Sequence, residues 1–192
     1  MAVATTSIAV ASKGLVLIGA DPIAAFDGSS RGAIVAEHIY DEVVEDVLVD
    51  TPWSFATAQE NLSHLSEAPS SIWTDQWQIP PEALLIRRVT LNDTDIDYEI
   101  HGDKIFTLVD ESNTLTMTFN FRALEQDWPP YFRFAVELKL ASTFAMAIAG
   151  KPDMADDFET RAQIALRKAR SNDGQADTAA AITTNRFILA RR

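Results

Sequence analysis

The apolar residues of this chain repeat at helical spacing toward both ends of the sequence and at a spacing of two in its middle. Between residues 83 and 122 apolar and polar residues alternate, most clearly from Leu115 to Phe121. Alternation of this kind is typical of antiparallel strands that have one buried face. It predicts an antiparallel β meander of about four strands, inserted between helical segments.

Four segments with apolar residues at intervals of three and four predict four helices. The first helix is expected to end near Ile18, because Gly19 can adopt the left-handed conformation that closes a helix. The third is expected to be the buried centre of a bundle, with Phe134 on its core-facing stripe. In the fourth, Asp153 suits the N-cap position and Gly174 marks the end.

Together these patterns predict an α+β fold: a helical bundle of about four helices with an inserted antiparallel β meander and an extended C-terminal tail. In a single domain of 192 residues the bundle comprises residues 1–55 and 128–174, the β insertion residues 56–127 and the tail residues 175–192. Residues 66–81 are rich in Pro, Ser and Trp and are interpreted as an ordered loop. With 47% hydrophobic residues, the chain can form one sizeable core.

The second helical segment has an apolar stripe on one side and an acidic face on the other. The acidic residues of this face are Glu37, Asp41, Glu42, Glu45 and Asp46, followed by Asp50. Asp41 and Glu45 are one turn apart, as are Glu42 and Asp46, and each like-charge pair weakens an isolated helix by roughly 0.2–0.5 kcal/mol. No Lys or Arg occurs between Gly32 and Ile86, although the net charge of the chain is −12. This local cost favours a role for the acids beyond the helix itself, although a merely solvated face is the simpler alternative.

The charge balance reverses toward the end of the sequence, where basic residues outnumber acidic ones. The final segment combines apolar and basic side chains: Asn185, Arg186, Phe187, Ile188, Leu189, Arg191 and Arg192. A frayed terminus is one interpretation. Three large apolar residues flanked by arginines are costly to leave in water, however, so the pattern favours a docking segment that orders on a partner.

No sequence spacing identifies a catalytic or metal site. The absence of cysteine excludes disulfides, thiolate nucleophiles and cysteine zinc sites. Asp93, Asp95 and Asp97 begin like a calcium loop, but Tyr98 stands where that loop requires glycine. The glycines are dispersed, and three histidines lack neighbours at metal-ligand spacing: His38, His64 and His101. We therefore expect no enzyme, no metal and no cofactor, while a carboxylate site between bundle and sheet stays an alternative, as does a monomeric interaction domain.

The start of the sequence lacks the basic region of a signal peptide. No apolar run approaches the roughly 20 residues that a helix needs to cross a bilayer. We therefore expect a soluble protein with no membrane partner.

Short motifs follow one another in a fixed order over most of the chain. They are Leu17-Ile18-Gly19 before Pro22-Ile23, Tyr40-Asp41 with Leu48, Pro52-Trp53-Ser54-Phe55-Ala56 with Leu62, Trp77-Gln78-Ile79-Pro80-Pro81 with Leu84 and Arg87, Tyr98-Glu99-Ile100 before Ile105, and Pro130-Tyr131-Phe132 before Leu138-Lys139-Leu140-Ala141. In this series the chain resembles the tail tubular protein A family of short-tailed bacteriophages. Members of that family are the adaptor, or head-to-tail connector, below the phage portal.

The resemblance implies a structural virion protein of the phage tail or neck, made in the bacterial cytoplasm and without catalytic activity. It implies a ring of twelve copies between the portal protein and a tail nozzle protein of the tail tubular protein B type. The helical bundle would face the portal and the β portion the nozzle. Double-stranded DNA would pass through the ring without specific binding.

The resemblance also gives the charged segments a role. The acids from Glu37 to Asp46 become candidates for the wall of the channel, because repeated negative charge repels DNA phosphates. The tail becomes the part that reaches the portal. Phe187, Ile188 and Leu189 would be its anchors, and its arginines the charged rim.

Overall fold

The computed structural model of the protein describes residues 5–67, 69 and 72–175. Of these residues, 47% are helical and 22% lie in strands. The four α-helices are α1 (Ser7–Leu17), α2 (Arg31–Asp50), α3 (Pro130–Phe144) and α4 (Pro152–Asp173). A π-helical segment, Ala145–Ala149, extends α3.

The positions of the helix ends are determined by capping residues next to the helices in the sequence. The hydroxyl of Thr6 accepts a hydrogen bond from the backbone at the start of α1, and the hydroxyl of Ser30 does so at the start of α2. The expected end of the first helix near Ile18 is confirmed, and Gly19 has a φ of +79°. The expected N-cap at Asp153 is wrong, because α4 begins one residue earlier at Pro152, which needs no partner for an N–H.

Eight strands in the described residues form two antiparallel sheets of four strands each. The strands are β1 (Thr57–Asn61), β2 (Ser63–Leu65), β3 (Asp75–Gln78), β4 (Ala83–Leu91), β5 (Thr94–Asp95), β6 (Glu99–His101), β7 (Lys104–Thr107) and β8 (Leu115–Phe121). Sheet A has the order β1-β8-β4-β5, and sheet B the order β2-β3-β7-β6. Strand β8 therefore lies between β1 and β4, where Thr57 is paired with Asn120 and Leu91 with Leu115.

The fold-class prediction, a helical bundle with one inserted β meander, is therefore wrong. The protein is a mixed α/β structure in which the two sheets are a sizeable part and not a small insertion. Strand β3 lies within residues 66–81, for which the sequence predicts a loop. The pattern does not indicate a strand there, because Asp75–Gln78 contains one apolar side chain, Trp77, and no alternation. Its strand conformation comes from pairing with the preceding strand β2 and with β7, which is more distant in sequence.

The two sheets share one core, and the helices form another. Trp77 of β3 and Ile105 of β7 pack in the same cluster as Val89 of β4 and Met117 of β8. Sheets A and B therefore bury their apolar faces against each other. The helical core collects buried residues from all four helices and contains Trp53 from the segment after α2.

The C-terminal end of α2 joins the helical core to sheet A. Asn120 of β8 is fully buried, and its amide donates to the carbonyl oxygens of Leu48 at 2.7 Å and Thr51 at 2.9 Å. Arg87 of β4 donates to the carbonyl oxygen of Val49 at 2.6 Å and to the Asn120 side chain at 2.6 Å. Carbonyls at a helix end have no partner within the helix, so side chains of the sheet satisfy them here.

An aromatic cluster covers the same junction. The indole N–H of Trp53 donates to the carbonyl oxygen of Val47 at 2.9 Å, so this ring also caps α2. Phe132 of α3 packs against Trp53 at 5.0 Å, Phe55 at 4.8 Å and Trp128 at 5.1 Å between ring centroids. The rings meet edge to face, the arrangement that aromatic pairs prefer.

Asn120→Ala should destabilise the protein by about 3 kcal/mol, because it leaves two buried carbonyl groups without a donor. The measurement is equilibrium unfolding in urea. The matched control is Asn61→Ala at an exposed position of β1, where the side chain makes one exposed hydrogen bond to Thr116. Equal losses of stability in the two variants would contradict this account of the junction.

Candidate functional site

The five predicted channel residues lie on the solvent side of α2 and are called the acidic stripe: Glu37, Asp41, Glu42, Glu45 and Asp46. Four of them are exposed, and Glu45 is half-buried. The opposite side of the helix, including Ala36, Tyr40 and Val44, is buried in the helical core. Because one face is fixed in the core, the acids are held on a rigid surface rather than on a mobile loop.

The acidic stripe has little positive charge around it. Among the described residues, Arg122 is the one cation within ion-pair distance, with its Nη2 3.5 Å from Asp41 Oδ1. That arginine is engaged more closely with Glu125, at 2.6 Å. The stripe therefore presents a net negative surface that nearby side chains do not neutralise.

A cleft of about 430 Å³ lies beside the stripe, between α2 and the segment after sheet A. In it the Tyr40 hydroxyl donates to Glu125 Oε1 at 3.1 Å, and Arg122 donates to the same oxygen at 2.6 Å. Burial, together with the charge of Glu125, raises the pKa of Tyr40 far above its usual value. An ion pair and a hydrogen bond thus meet at one oxygen of the Glu125 carboxylate, an arrangement typical of a structural network.

A second buried carboxylate anchors the end of α4. Asp173 is 6% exposed and accepts hydrogen bonds from the Ser54 backbone and hydroxyl and from the Tyr131 hydroxyl, each at 2.8 Å. One turn earlier, Arg170 pairs with Asp50 of α2. These contacts fix the last turn of α4 at the junction between the helices and the sheets.

The seven predicted portal-binding residues, from Asn185 to Arg192, lie outside the described residues. Their docking role therefore stays a prediction. The described chain ends at Gln175, just after the turn of α4 that Asp173 anchors.

An apolar groove that the sequence pattern did not predict lies between α3 and α4 beside the end of α1. Its volume is about 530 Å³. Its main apolar lining residues are Leu17, Tyr131, Phe134, Leu138, Phe158 and Ile164. Phe134 and Ile164 are each 54% exposed, so the expectation that Phe134 faces the core is wrong. Helical spacing identifies an apolar face of a helix but does not show which element covers it. The sequence feature that could have indicated an exposed apolar surface is that α3 is apolar on more than one side.

The rim of the apolar groove is basic. Arg161 lies there and pairs with Asp157 at 2.8 Å. Lys168 lies nearer the C-terminal end of α4 and forms no ion pair within the described part of the chain. The groove therefore combines an apolar floor with an available positive charge.

The described residues contain no group of three or more His, Asp or Glu side chains that could hold a metal ion. Within the same residues, no helix combines the length and apolar character needed to cross a membrane. Comparison with protein families found no family that matches the chain, and comparison with curated proteins found no matching sequence. The resemblance to the tail tubular protein A family therefore depends on the ordered motifs.

Tyr131→Phe should weaken the pH dependence of stability in alkaline solution. Burial and the Asp173 carboxylate raise the pKa of Tyr131 to about 12, whereas a tyrosine in an unfolded chain has a pKa of about 10. Between these values the folded state binds more protons, so its stability falls as pH rises. Urea unfolding of both proteins at intervals from about pH 8 to about pH 12 measures the difference. Parallel curves of stability against pH for the two proteins would contradict the raised pKa of Tyr131.

Proposed function

We propose that this protein is a structural virion adaptor whose copies form a ring between a phage portal and a tail nozzle. The ring would form part of the channel through which DNA leaves the capsid. The observation that carries this proposal is the acidic stripe: five carboxylates on the solvent side of one rigid helix, with a single nearby cation within the described residues.

The chemistry of DNA explains why such a stripe suits a channel. Affinity for DNA grows with the number of phosphates that a protein neutralises, and repeated acids around a channel neutralise none. The stripe also acts at short range, because charges are screened over about 8 Å at physiological ionic strength. The stripe would therefore repel a passing duplex only if α2 lay within about 8 Å of the DNA, at the wall or edge of the channel. Several copies of α2 around the DNA meet this condition on all sides, which favours a ring over a monomer.

The packing of the motif residues supports the resemblance on which the proposal draws. Two of the motifs, Pro52-Trp53-Ser54-Phe55-Ala56 and Pro130-Tyr131-Phe132, are far apart in sequence. Their aromatic rings nevertheless form one cluster, and Tyr131 and Ser54 share the Asp173 carboxylate. Motif residues that contact one another in the fold are a stronger basis for a resemblance than motif residues that lie apart.

The same proposal assigns the two neighbours of the ring. The tail residues from Asn185 to Arg192 would bind the portal protein, with their apolar side chains buried and their arginines at the rim. The β portion would contact the nozzle protein. No cofactor is required, since the function is mechanical and electrostatic.

The test is light scattering of the purified protein mixed with the portal protein of the same phage. We expect one large symmetric complex. Removal of Thr183–Arg192 should leave the far-ultraviolet circular dichroism and thermal unfolding unchanged but abolish the complex. A full-length protein that stays monomeric and ignores the portal would contradict the adaptor function. Docking that survives the deletion would contradict only the assignment of the tail.

The triple substitution of Glu42, Glu45 and Asp46 by Lys should leave rings assembled but slow or block genome passage, because the reversed charges bind phosphates. Ejection kinetics of virions that carry the variant measure this. A control with the same change in charge replaces Asp21, Asp153 and Asp156, which are exposed acids outside α2 and outside the β portion, and it should eject the genome at the normal rate. Normal ejection by the α2 variant would refute the channel assignment.

A further inference from the structure

The apolar groove is part of a larger exposed apolar surface. A neighbouring cleft of about 310 Å³ shares Leu17 and Phe134 with the groove and adds Val16, which is 55% exposed. Contiguous exposed side chains of this size usually mark a binding surface. The rim adds a second requirement, because Lys168 has no ion pair within the described residues. An occupant that complements the groove therefore carries both apolar surface and negative charge.

A turn at residues 123–127, called the Leu124 turn, carries both features. Leu124 is 59% exposed, and Asp127 is exposed and forms no ion pair within the part of the chain that the structure describes. The turn lies beside the acidic stripe, because the preceding Arg122 lies within ion-pair distance of Asp41. An apolar side chain at the edge of a negative surface thus complements an apolar groove with a basic rim.

Hydrogen bonds hold the Leu124 turn in one conformation. On one side of Leu124, the carbonyl oxygen of Ala123 accepts a hydrogen bond from the indole N–H of Trp128 at 3.0 Å. On the other side, the backbone N–H of Asp127 donates to the carbonyl oxygen of Leu124 at 2.9 Å. A side chain on a backbone that is already ordered loses less conformational freedom when it binds, so the turn is suited to docking.

The spacing of apolar and charged residues agrees on the two surfaces. On α4, Ile164 and Lys168 are four residues apart, so they lie on one face of the helix with about 6 Å between their Cβ atoms. In the Leu124 turn, Leu124 and Asp127 are three residues apart and their backbones are hydrogen-bonded. One contact can therefore join the two apolar residues and the two opposite charges together.

The Leu124 turn and the apolar groove lie at opposite ends of α1. The cleft beside the turn includes Ser7, the first residue of that helix, whereas the groove includes Leu17, its last residue. These two residues are about 15 Å apart along the helix. A turn that is fixed at one end cannot enter the groove at the other, so a second copy has to supply it. Because two different surfaces meet, the contact repeats from copy to copy and builds a closed ring or an open filament.

We propose that the apolar groove of one copy binds the Leu124 turn of the next copy. Leu124 contacts Phe134 and Ile164 there, and Asp127 pairs with Lys168. Closure of the repeated contact into a ring rests on the proposed function, whereas the contact itself does not.

This contact leaves part of the acidic stripe free to face a channel. The Leu124 turn approaches α2 at Asp41. Asp46 is five residues further along and lies about 140° around the helix from Asp41. One helix can therefore contribute its Asp41 edge to the contact between copies and its Asp46 edge to the channel.

Disulfide cross-linking between two batches of full-length protein tests the contact, because the natural sequence has no cysteine. One batch carries Leu124→Cys and a tag that changes its mobility, and the other carries Ile164→Cys. On mild oxidation the mixture should form heterodimers about tenfold faster than either batch forms homodimers, because the contact raises the effective concentration of the two thiols. The control pairs Ile164→Cys with Leu108→Cys, which is 65% exposed on the β portion, and should show no such gain.

The cross-linking is measured with and without the portal protein, so a contact that forms only on the portal is also detected. Ile164→Cys homodimers that form as fast as the heterodimer would indicate that two grooves face each other, which overturns the proposal. The absence of a faster heterodimer under both conditions overturns it as well.

Charge reversal tests the ion pair within the same assay. Asp127→Lys in the Leu124→Cys batch should slow heterodimer formation about tenfold, as should Lys168→Glu in the Ile164→Cys batch, because like charges then meet. The two changes together should restore the rate. Arg167→Glu, an exposed change of equal charge one residue from Lys168 and outside the groove, should leave the rate unchanged. Failure of the paired variants to recover would overturn the pairing.

Loss of the contact and loss of portal binding are separate outcomes. Leu124→Asp should leave urea unfolding unchanged, because the side chain is exposed, and should prevent the large complex seen by light scattering with the portal protein. A large complex that forms without the Leu124–Ile164 link would overturn this contact and leave the adaptor function standing. A link that forms in a protein that ignores the portal would support the contact and overturn the adaptor function.

Discussion

The fold depends on how the free carbonyl groups at the C-terminal end of α2 are satisfied. Asn120 and Arg87 of sheet A donate to three of these carbonyls, and Trp53 donates to a fourth. The acceptors belong to a helix and two of the donors to a sheet, so neither part can shift without leaving buried polar groups unpaired. This polar joint, together with the apolar contacts of Leu84 and Phe121, holds the end of α2 against sheet A.

The features that the sequence predicted are those with local causes. The end of α1 follows from Gly19, and strand β8 follows from strict alternation over Leu115–Phe121. The arrangement of two sheets could not be predicted, because β3 has little strand character of its own and depends on pairing with β7. Helical periodicity also located the acidic stripe on one side of α2, and the structure exposes four of its five acids. The same periodicity could not identify the apolar groove, since only the packing of three helices determines which apolar side chains remain uncovered.

The acidic stripe and the apolar groove each lower the stability of an isolated chain. Like charges one turn apart destabilise α2, and half-exposed aromatic and aliphatic side chains leave apolar surface in water. Neither cost is required by the fold, because the buried sides of the same helices already form the core. Exposed surfaces of this kind commonly mark places where a partner contacts a protein.

The pairing of β1 with β8 has a consequence for how the chain folds. Thr57 and Asn120 are neighbours in sheet A although all of sheet B lies between them in sequence. Contacts between residues so distant along the chain lose much conformational entropy before they gain stability, and they form late. Since Asn120 also caps α2, the C-terminal end of that helix acquires these partners only once β8 is in place. During synthesis, a chain released before β8 is complete would also lack α3 and α4, so α2 would be without its cap from the sheet and the strands already made would be open to pairing with other chains.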